Sequence, residues 1–528
     1  MTGVTRRHIA LVGLPGSGKG TIAKALAARL GARHVDIDDE VARRTGQTLR
    51  QFIEREGEPA FRREELLALE VAVADPMVAV IACGGGLFAG DIARELLAAT
   101  ATTVWLDAPD TVLLRRLGDA VVDRPLLAAD PPRNLRRLRR ARAAAHATAD
   151  HHVDAGPDVA TVTGRVLAAI GEADVWVDIP GRRYPVLIGP GVADTVADRL
   201  PPTCGRVAVI ADRAVAPLAR RVAGAVRRTG RTVTMAYIEG GEGAKTWVRA
   251  GRLLRTLTAA GLLRDDCVVA VGGGTIGDLA GFVAGVYMRG IAVIHVPTTL
   301  IAMVDSSIGG KTGVDLPAGK NLAGVFWQPR ALFCDLTALA TVPERAQRGA
   351  CSEIIKYSLI ADSGFAAVLD GVLESLLAGD LAVTTAVVRR CSEIKADVVA
   401  GDERETGRRA LLNYGHTVGH AVEAVTKYAL WHGEALAIGM RVAGLLSIRY
   451  NGCPPEDVRW QNEMLDRAGL DMRPRLDPDA VVARTAIDKK SSAGRVRWVL
   501  IDRLGEGSGG HLIDDADVRA AVAEVVDP

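Results

Sequence analysis

His8-Ile-Ala-Leu-Val-Gly-Leu-Pro-Gly-Ser-Gly-Lys-Gly-Thr21 starts as an apolar run of strand length, turns through glycines and opens a helix pattern. The spacing Gly13-x4-Gly18-Lys19 fits a phosphate-binding loop. Its glycines let backbone N–H groups wrap phosphates at a helix N-terminus, and Lys19 reaches the terminal phosphates. Gly20 stands where a Ser or Thr normally binds Mg2+, and Thr21 follows it. Outward from this loop, Val78–Cys83 and Thr103–Ala108 are further short apolar runs separated by helix-period segments, with a closing helix expected over Val159–Glu172. Strands of this kind, buried on both faces, predict a parallel sheet covered by helices.

A chain of 528 residues exceeds one core, and the pattern divides it into 1–170, 175–337 and 338–528. After a linker at Gly171–Asp174, strands are expected at Val175–Ile179, Tyr184–Ile188, Arg206–Asp212, Thr232–Ile238, Cys267–Val271 and Ile291–Val296. Beyond Leu336 helical periods dominate and strand signals are few. The predicted class is α/β throughout. A P-loop α/β domain, a Rossmann-like α/β domain and a mainly α-helical domain are expected in that order. A formal net charge of +2 gives no electrostatic case for nucleic acid or membrane partners. Seven scattered cysteines without a CxxC pair point to reduced thiols and a cytoplasmic location. Only 10 of the 65 basic residues are lysine, so a lysine suggests a position where a compact ammonium is wanted, Lys24 and Lys427 alone reading as ordinary surface residues.

Downstream of the loop come Asp36-Ile-Asp38, taken as the end of the second strand, then Phe61-Arg-Arg63, Gly84-Gly-Gly86 and Arg124-Pro-Leu-Leu127. Together these resemble shikimate kinase over residues 8–165. The resemblance implies ATP with Mg2+ on Gly13, Gly16, Ser17, Gly18, Lys19, Gly20, Thr21, Arg116 and Arg124, with Asp36 near the metal. It places Asp38, Arg62, Gly84, Gly85, Gly86 and Arg142 around shikimate. By the same resemblance Lys19, Asp38 and Arg124 would carry the transfer: a carboxylate orients the hydroxyl and cations neutralise the phosphoryl group. The family's Arg-x-Pro-Leu-Tyr segment stands here as Arg142-Ala-Ala-Ala-His146. The run GKGT also occurs in adenylate-kinase-like enzymes, which leaves another small-molecule kinase as one alternative; Gly20 and the Ala143–Ala145 run leave a decayed, non-catalytic domain as the other.

Gly272-Gly-Gly-Thr-Ile-Gly-Asp278 closes a strand and opens a helix, a turn that admits a pyrophosphate. His416 and His420 are four apart on one helix face, so spacing alone pairs them on a zinc ion, and His432 makes three His within 17 residues. These segments, with Pro297-Thr-Thr299, Asp305–Gly313, Gly319-Lys-Asn321, Glu353-Ile-Ile-Lys356 and Asp488-Lys-Lys490, closely resemble 3-dehydroquinate synthase over residues 175–510.

That resemblance implies Glu353, His416 and His432 as ligands of Zn2+ or Co2+ and moves His420 to the substrate. It implies NAD on Asp212, Glu242, Lys245, Gly273, Gly274, Asp278, Thr298 and Thr299, with Lys311 and Lys320 beside it. The heptulosonate phosphate would meet Arg289, Asp305, Lys311, Lys320, Asn321, Lys356, Lys395, Arg409, Asn413, His420 and one of Lys489 and Lys490. Of these, Asp305, Lys311, Lys356, Lys395, Arg409, Asn413 and His420 are the expected catalytic set. Another sugar-phosphate cyclase of the same fold is the alternative. Family likeness also implies a homodimer through this half.

Overall fold

The computed structural model describes residues 8–75, 77–118, 127, 130–170, 174–317, 319–485 and 496–527. The chain divides into two compact units, Met1–Glu172 and Ala173–Pro528.

The first unit is built on a parallel sheet of β1 (His8–Val12), β2 (Arg33–Asp36), β3 (Ala79–Ala82), β4 (Ala101–Asp107) and β5 (His151–Asp154), in the order β2-β3-β1-β4-β5. Central β1 is buried at every residue, as its unbroken apolar run requires. The closing helix runs Val159–Ala169. The second strand stops at Asp36, two residues earlier than expected. Asp36 Oδ1 accepts from the backbone N of Asp38 at 3.0 Å and caps the helix Ile37–Thr45, so Asp38 belongs to a helical first turn.

In the second unit β6 (Val175–Ile179), β7 (Arg182–Gly189), β8 (Arg206–Asp212), β9 (Thr232–Ile238), β10 (Cys267–Gly272) and β11 (Ala292–Pro297) lie at the expected positions. A hairpin follows, β12 (Lys311–Leu316) and β13 (Gly319–Phe326), and then β14 (Ala331–Asp335). The main sheet has the order β6-β7-β14-β11-β10-β8-β9, and only β6 with β7 is antiparallel. Chain direction across the sheet reverses between β8 and β10, where a doubly wound sheet opens its ligand crevice at the carboxyl ends. Asp212 ends β8 and Gly272 ends β10, so both line that crevice.

Long helices Glu344–Ile360, Leu381–Gly401, His416–Val425 and His432–Asn451 build the remainder. They are joined by a hairpin, β15 (Trp498–Arg503) and β16 (Glu506–His511), that the helical reading of this region did not include. One core runs from Val186, Ile188 and Leu332 of the sheet into Ile354, Tyr357 and Leu436 of the helices. The boundary at 337/338 therefore crosses continuous packing.

Candidate active sites

The loop after β1 turns through left-handed Gly16 and Gly18 into the helix Lys19–Leu30, whose first turn has no side-chain cap. Its N–H groups are thus left for an anion. Lys19 Nζ donates to the carbonyls of Gly13 and Leu14, both at 3.1 Å, and the buried Ser17 Oγ has no hydrogen-bond partner. An orphaned hydroxyl in a nest of amides fits a nucleotide phosphate. Asp36 faces the same cleft, and burial, reinforced by Asp38 and Asp39, raises its carboxyl above the usual range. A Cβ on Gly20 would come within 2.7 Å of Asp36 Oδ2, so glycine leaves that carboxylate open to the loop. Arg116 is tied to the carbonyls of Ala155, Gly156 and Pro157 at 2.6–3.0 Å on the rim.

Beside this cleft Asp38, Arg62, Glu65, Gly85, Gly86 and Arg142 line one pocket. Arg62 is ion-paired to Glu58 at 2.8 Å and to buried Glu65, while Gly84 lies against Glu65 and Asp38. Arg142 is buried and donates to Gly85 O. His146, four residues on, packs against Phe88 and Trp105 with centroids at 6.3 and 5.6 Å, an aromatic filler that keeps Arg142 on the pocket. Glu65 was not foreseen, although it lies one helical turn from Arg62. Arg124 lies outside the described residues, as do Lys489 and Lys490.

In the second unit the helix Gly274–Val286 also starts without a side-chain cap, and buried Ser306 Oγ beside Gly274 has no partner. Thr299 packs on Gly273, and Thr298 N donates to Gly272 O at 3.0 Å. Lys245 Nζ meets Asp278 Oδ2 at 2.6 Å, and burial raises the Asp278 carboxyl against the pull of that lysine. Asp212 Oδ1 accepts from Ala214 N at 3.0 Å and from Gly240 N at 3.3 Å. Uncapped amides, an orphaned hydroxyl and flanking carboxylates for ribose fit a dinucleotide.

The metal pole forms where three helices meet. Glu353 Oε1 lies 3.4 Å from His416 Nε2 and 3.3 Å from His432 Nε2, and the three donor atoms lie within 4.8 Å of one another. Two imidazoles and one carboxylate with open positions suit a divalent transition metal. His416 Nδ1 is 3.3 Å from Tyr414 O, which orients its ring. Lys356, buried one turn from Glu353, is ion-paired to it. Burial alone would raise the Glu353 carboxyl, but Lys356 and the histidines hold it far below the usual range. Burial disfavours protonated His432, yet Glu353 and Glu423 push it up to about 9, so a metal there displaces a proton. A second group, His420, Glu423 and His432, shares His432.

Around this pole Lys395 Nζ donates to Asp305 Oδ1 at 2.5 Å and to Asp305 O at 2.6 Å, and Tyr357 Oη donates to the same Oδ1 at 2.9 Å. Lys311 pairs with Glu405 at 2.5 Å, and Asn413 Nδ2 donates to Glu405 at 2.8 Å. Buried Arg409 donates to Gly309 O at 3.0 Å. Lys320 lies 3.2 Å from Glu242 and 3.3 Å from Glu423, and Asn321 adopts a left-handed φ of 56° in the hairpin. Arg289, exposed in a left-handed turn, has no hydrogen bond or ion pair to this cluster among the described residues. Tyr357, Glu405 and Glu423 were missed. Glu423 lies three residues past His420 and seven past His416, on their helix face, which was the available signal.

Residues 235–349 and 350–491 match the families described as 3-dehydroquinate synthase N-terminal and 3-dehydroquinate synthase C-terminal. The 3-dehydroquinate synthase of Caulobacter vibrioides is 42% identical over 362 residues, covering 66% of this chain and 98% of that protein. The chain belongs to the 3-dehydroquinate synthase family. The enzyme of Bordetella pertussis is 41% identical over 351 residues, covering 66% of this chain and 98% of its own. A solved 2-deoxy-scyllo-inosose synthase, complexed with carbaglucose-6-phosphate, NAD+ and Co2+, is 27% identical with a TM-score of 0.61, over 67% of this chain and 99% of that one. A 2-epi-5-epi-valiolone synthase from Streptomyces hygroscopicus subsp. jinggangensis, with NAD+ and Zn2+ bound, is 26% identical with the same TM-score of 0.61, over 65% of this chain and 96% of its own. Residues 15–170 match shikimate kinase. The first unit is a shikimate kinase domain, which makes the chain a bifunctional enzyme of the shikimate pathway.

Proposed function

We propose that the kinase unit transfers phosphate from ATP, with Mg2+, to shikimate. The synthase unit converts 3-deoxy-D-arabino-heptulosonate 7-phosphate to 3-dehydroquinate and phosphate, with NAD+ and Zn2+ or Co2+. Support for the synthase half comes above all from one cluster: donor atoms of Glu353, His416 and His432 converge within 4.8 Å of one another. When bound, NAD+ supplies a reversible hydride acceptor and the metal a Lewis acid at a substrate hydroxyl. Asp305, itself fixed by the Tyr357 hydroxyl, holds the Lys395 ammonium in place, and Lys311, Arg409 and Asn413 present donors to the substrate's anionic groups. Buried Lys356 keeps Glu353 ionised as a ligand. In the kinase unit Asp38 orients the shikimate hydroxyl, Arg62 and Arg142 take the carboxylate, and Lys19 takes the phosphates.

The synthase half assembles as a homodimer and the enzyme works in the cytoplasm on small molecules. Trp247, Val248 and Leu322, on and beside the β12–β13 hairpin, are each more than half exposed and supply apolar surface for a second copy. All seven cysteines are free, as in a reducing compartment. No helix among the described residues is long and apolar enough to cross a membrane.

One preparation should phosphorylate shikimate with ATP. It should also release phosphate from the heptulosonate phosphate, losing that activity when NAD+ is withheld or the metal is chelated. Phosphate release that ignores both withdrawals would overturn the synthase reading; absence of shikimate-dependent ADP formation would overturn the kinase reading.

A further inference from the structure

Glu423 is nearly fully buried on the helix His416–Val425, and one carboxylate oxygen serves two cations from different parts of the unit. Its Oε1 lies 3.6 Å from His432 Nδ1 and 3.3 Å from Lys320 Nζ. His432 opens the next helix with its other ring nitrogen, Nε2, 3.3 Å from Glu353. Lys320 belongs to the β12–β13 hairpin; its ammonium also reaches Glu242 at 3.2 Å and stands over the Tyr428 ring at 4.4 Å.

We propose that Glu423 is a positioning residue that sets the metal-facing orientation of His432 and, through the same oxygen, anchors Lys320 of the cofactor-side hairpin to the metal pole. The inference rests on the synthase reading given above. An imidazole that binds a metal through Nε2 must carry its proton on Nδ1, and the group opposite Nδ1 decides that tautomer and the ring's angle. Glu423 is the carboxylate opposite. Burying its charge is tolerable because the Lys320 ammonium and the His432 Nδ1 edge face it; removing the charge strands Lys320 on Glu242 and leaves the His432 ring without its outer partner. The arrangement also links the cofactor side to the metal side through three side chains, Glu242, Lys320 and Glu423.

The test uses the full-length protein stripped of metal and titrated with Zn2+ against a chromophoric chelator, and separately loaded with Co2+ for its visible spectrum. Glu423→Gln preserves volume and should weaken metal binding 10- to 100-fold, the range typical of an outer partner of a metal-bound His. Its Co2+ spectrum should keep the wild-type coordination number, and Glu423→Asp should recover part of the affinity. Lys320→Ala should raise the KM for NAD+ severalfold and leave metal affinity within twofold. Metal affinity in Glu423→Gln equal to wild type would overturn the role. So would a loss as complete as that of Glu353→Gln with a changed coordination number, which would make Glu423 a ligand. Wild-type protein that takes up no divalent metal would instead defeat the synthase reading itself, so the two failures are separable.

Discussion

Glu65 of the kinase pocket is fully buried, with one oxygen on Arg62 and the other, Oε1, against Gly84 without a hydrogen-bond partner. Burial pushes its carboxyl up to about 7 from an ordinary 4.5, against the pull of Arg62. Between those values the folded protein keeps a proton that the unfolded chain has released. The stability contributed by the neutral carboxyl is therefore complete below about pH 4.5 and is lost as pH rises through 7, a change of about 3 kcal/mol. Calorimetry of the full chain, following the transition that added ATP moves upward, should show this decline. Glu65→Gln should flatten it; a decline of unchanged slope would show that another group is responsible. The same residue marks a limit of sequence reading. Arg62 could be recognised from its Phe-Arg-Arg context, and Glu65, unlike Glu64, lies one helical turn from it, but that spacing reads equally as an exposed ion pair.

At the scale of elements, the metal pole depends on how closely two helices cross. Glu344–Ile360 carries Glu353, and His432–Asn451 opens with His432; they meet where Gly349 faces Gly433. A Cβ on Gly433 would stand 2.1 Å from Gly349 O, whereas one on Gly349 would stand 3.6 Å from Gly433 Cα, an ordinary contact. Gly433→Ala must push the helices apart at about 1–3 kcal/mol of overpacking, and with them Glu353 from His432. Metal affinity should fall at least tenfold in Gly433→Ala and stay at the wild-type level in Gly349→Ala; equal effects of the two would show that the crossing does not set the ligand spacing. Such crossings are invisible in sequence, where both positions read as isolated helical glycines. The strands that could be read, such as Arg206–Asp212 and Thr232–Ile238, belong to the parallel sheet and form apolar runs. Of those not foreseen, His151–Asp154 at an edge and Gly319–Phe326 in a two-stranded hairpin are polar or Gly-rich because little of either is buried, whereas Ala331–Asp335 and Trp498–Arg503 are short apolar runs that periodicity does not separate from buried helix. His spacing alone pairs His416 with His420; the grouping of Glu353, His416 and His432, which the fold brings together, came from the family motifs. Glu405 and Glu423 were missed: each also pairs with a lysine about a hundred residues away, Lys311 and Lys320, and only the helix face that Glu423 shares with His416 and His420 hinted at its place.

At the scale of the molecule, each unit closes its own apolar cores. The kinase unit does so around Leu11, Leu26 and Leu106 and around Ile37, Phe61 and Ile81. The synthase unit does so around its sheet and helices. The scarce lysines follow the same division. Lys19 alone serves the P-loop, while Lys245, Lys311, Lys320, Lys356 and Lys395 are all held in ion pairs in the synthase crevice. Shikimate kinase and dehydroquinate synthase do not share a substrate or product, so chemistry gives the units no reason to exchange an intermediate. With separate cores and separate sites, damage at one metal ligand should stay local. His432→Ala removes a ligand that is about one-third exposed, so little packing is lost and the helix should persist. Phosphate release from the heptulosonate phosphate should fall at least a thousandfold, about 4 kcal/mol of transition-state stabilisation. Shikimate phosphorylation by the same preparation should keep its kcat and KM within twofold. If both activities fall together while the kinase melting transition stays in place, the units are coupled in function as well as joined in sequence.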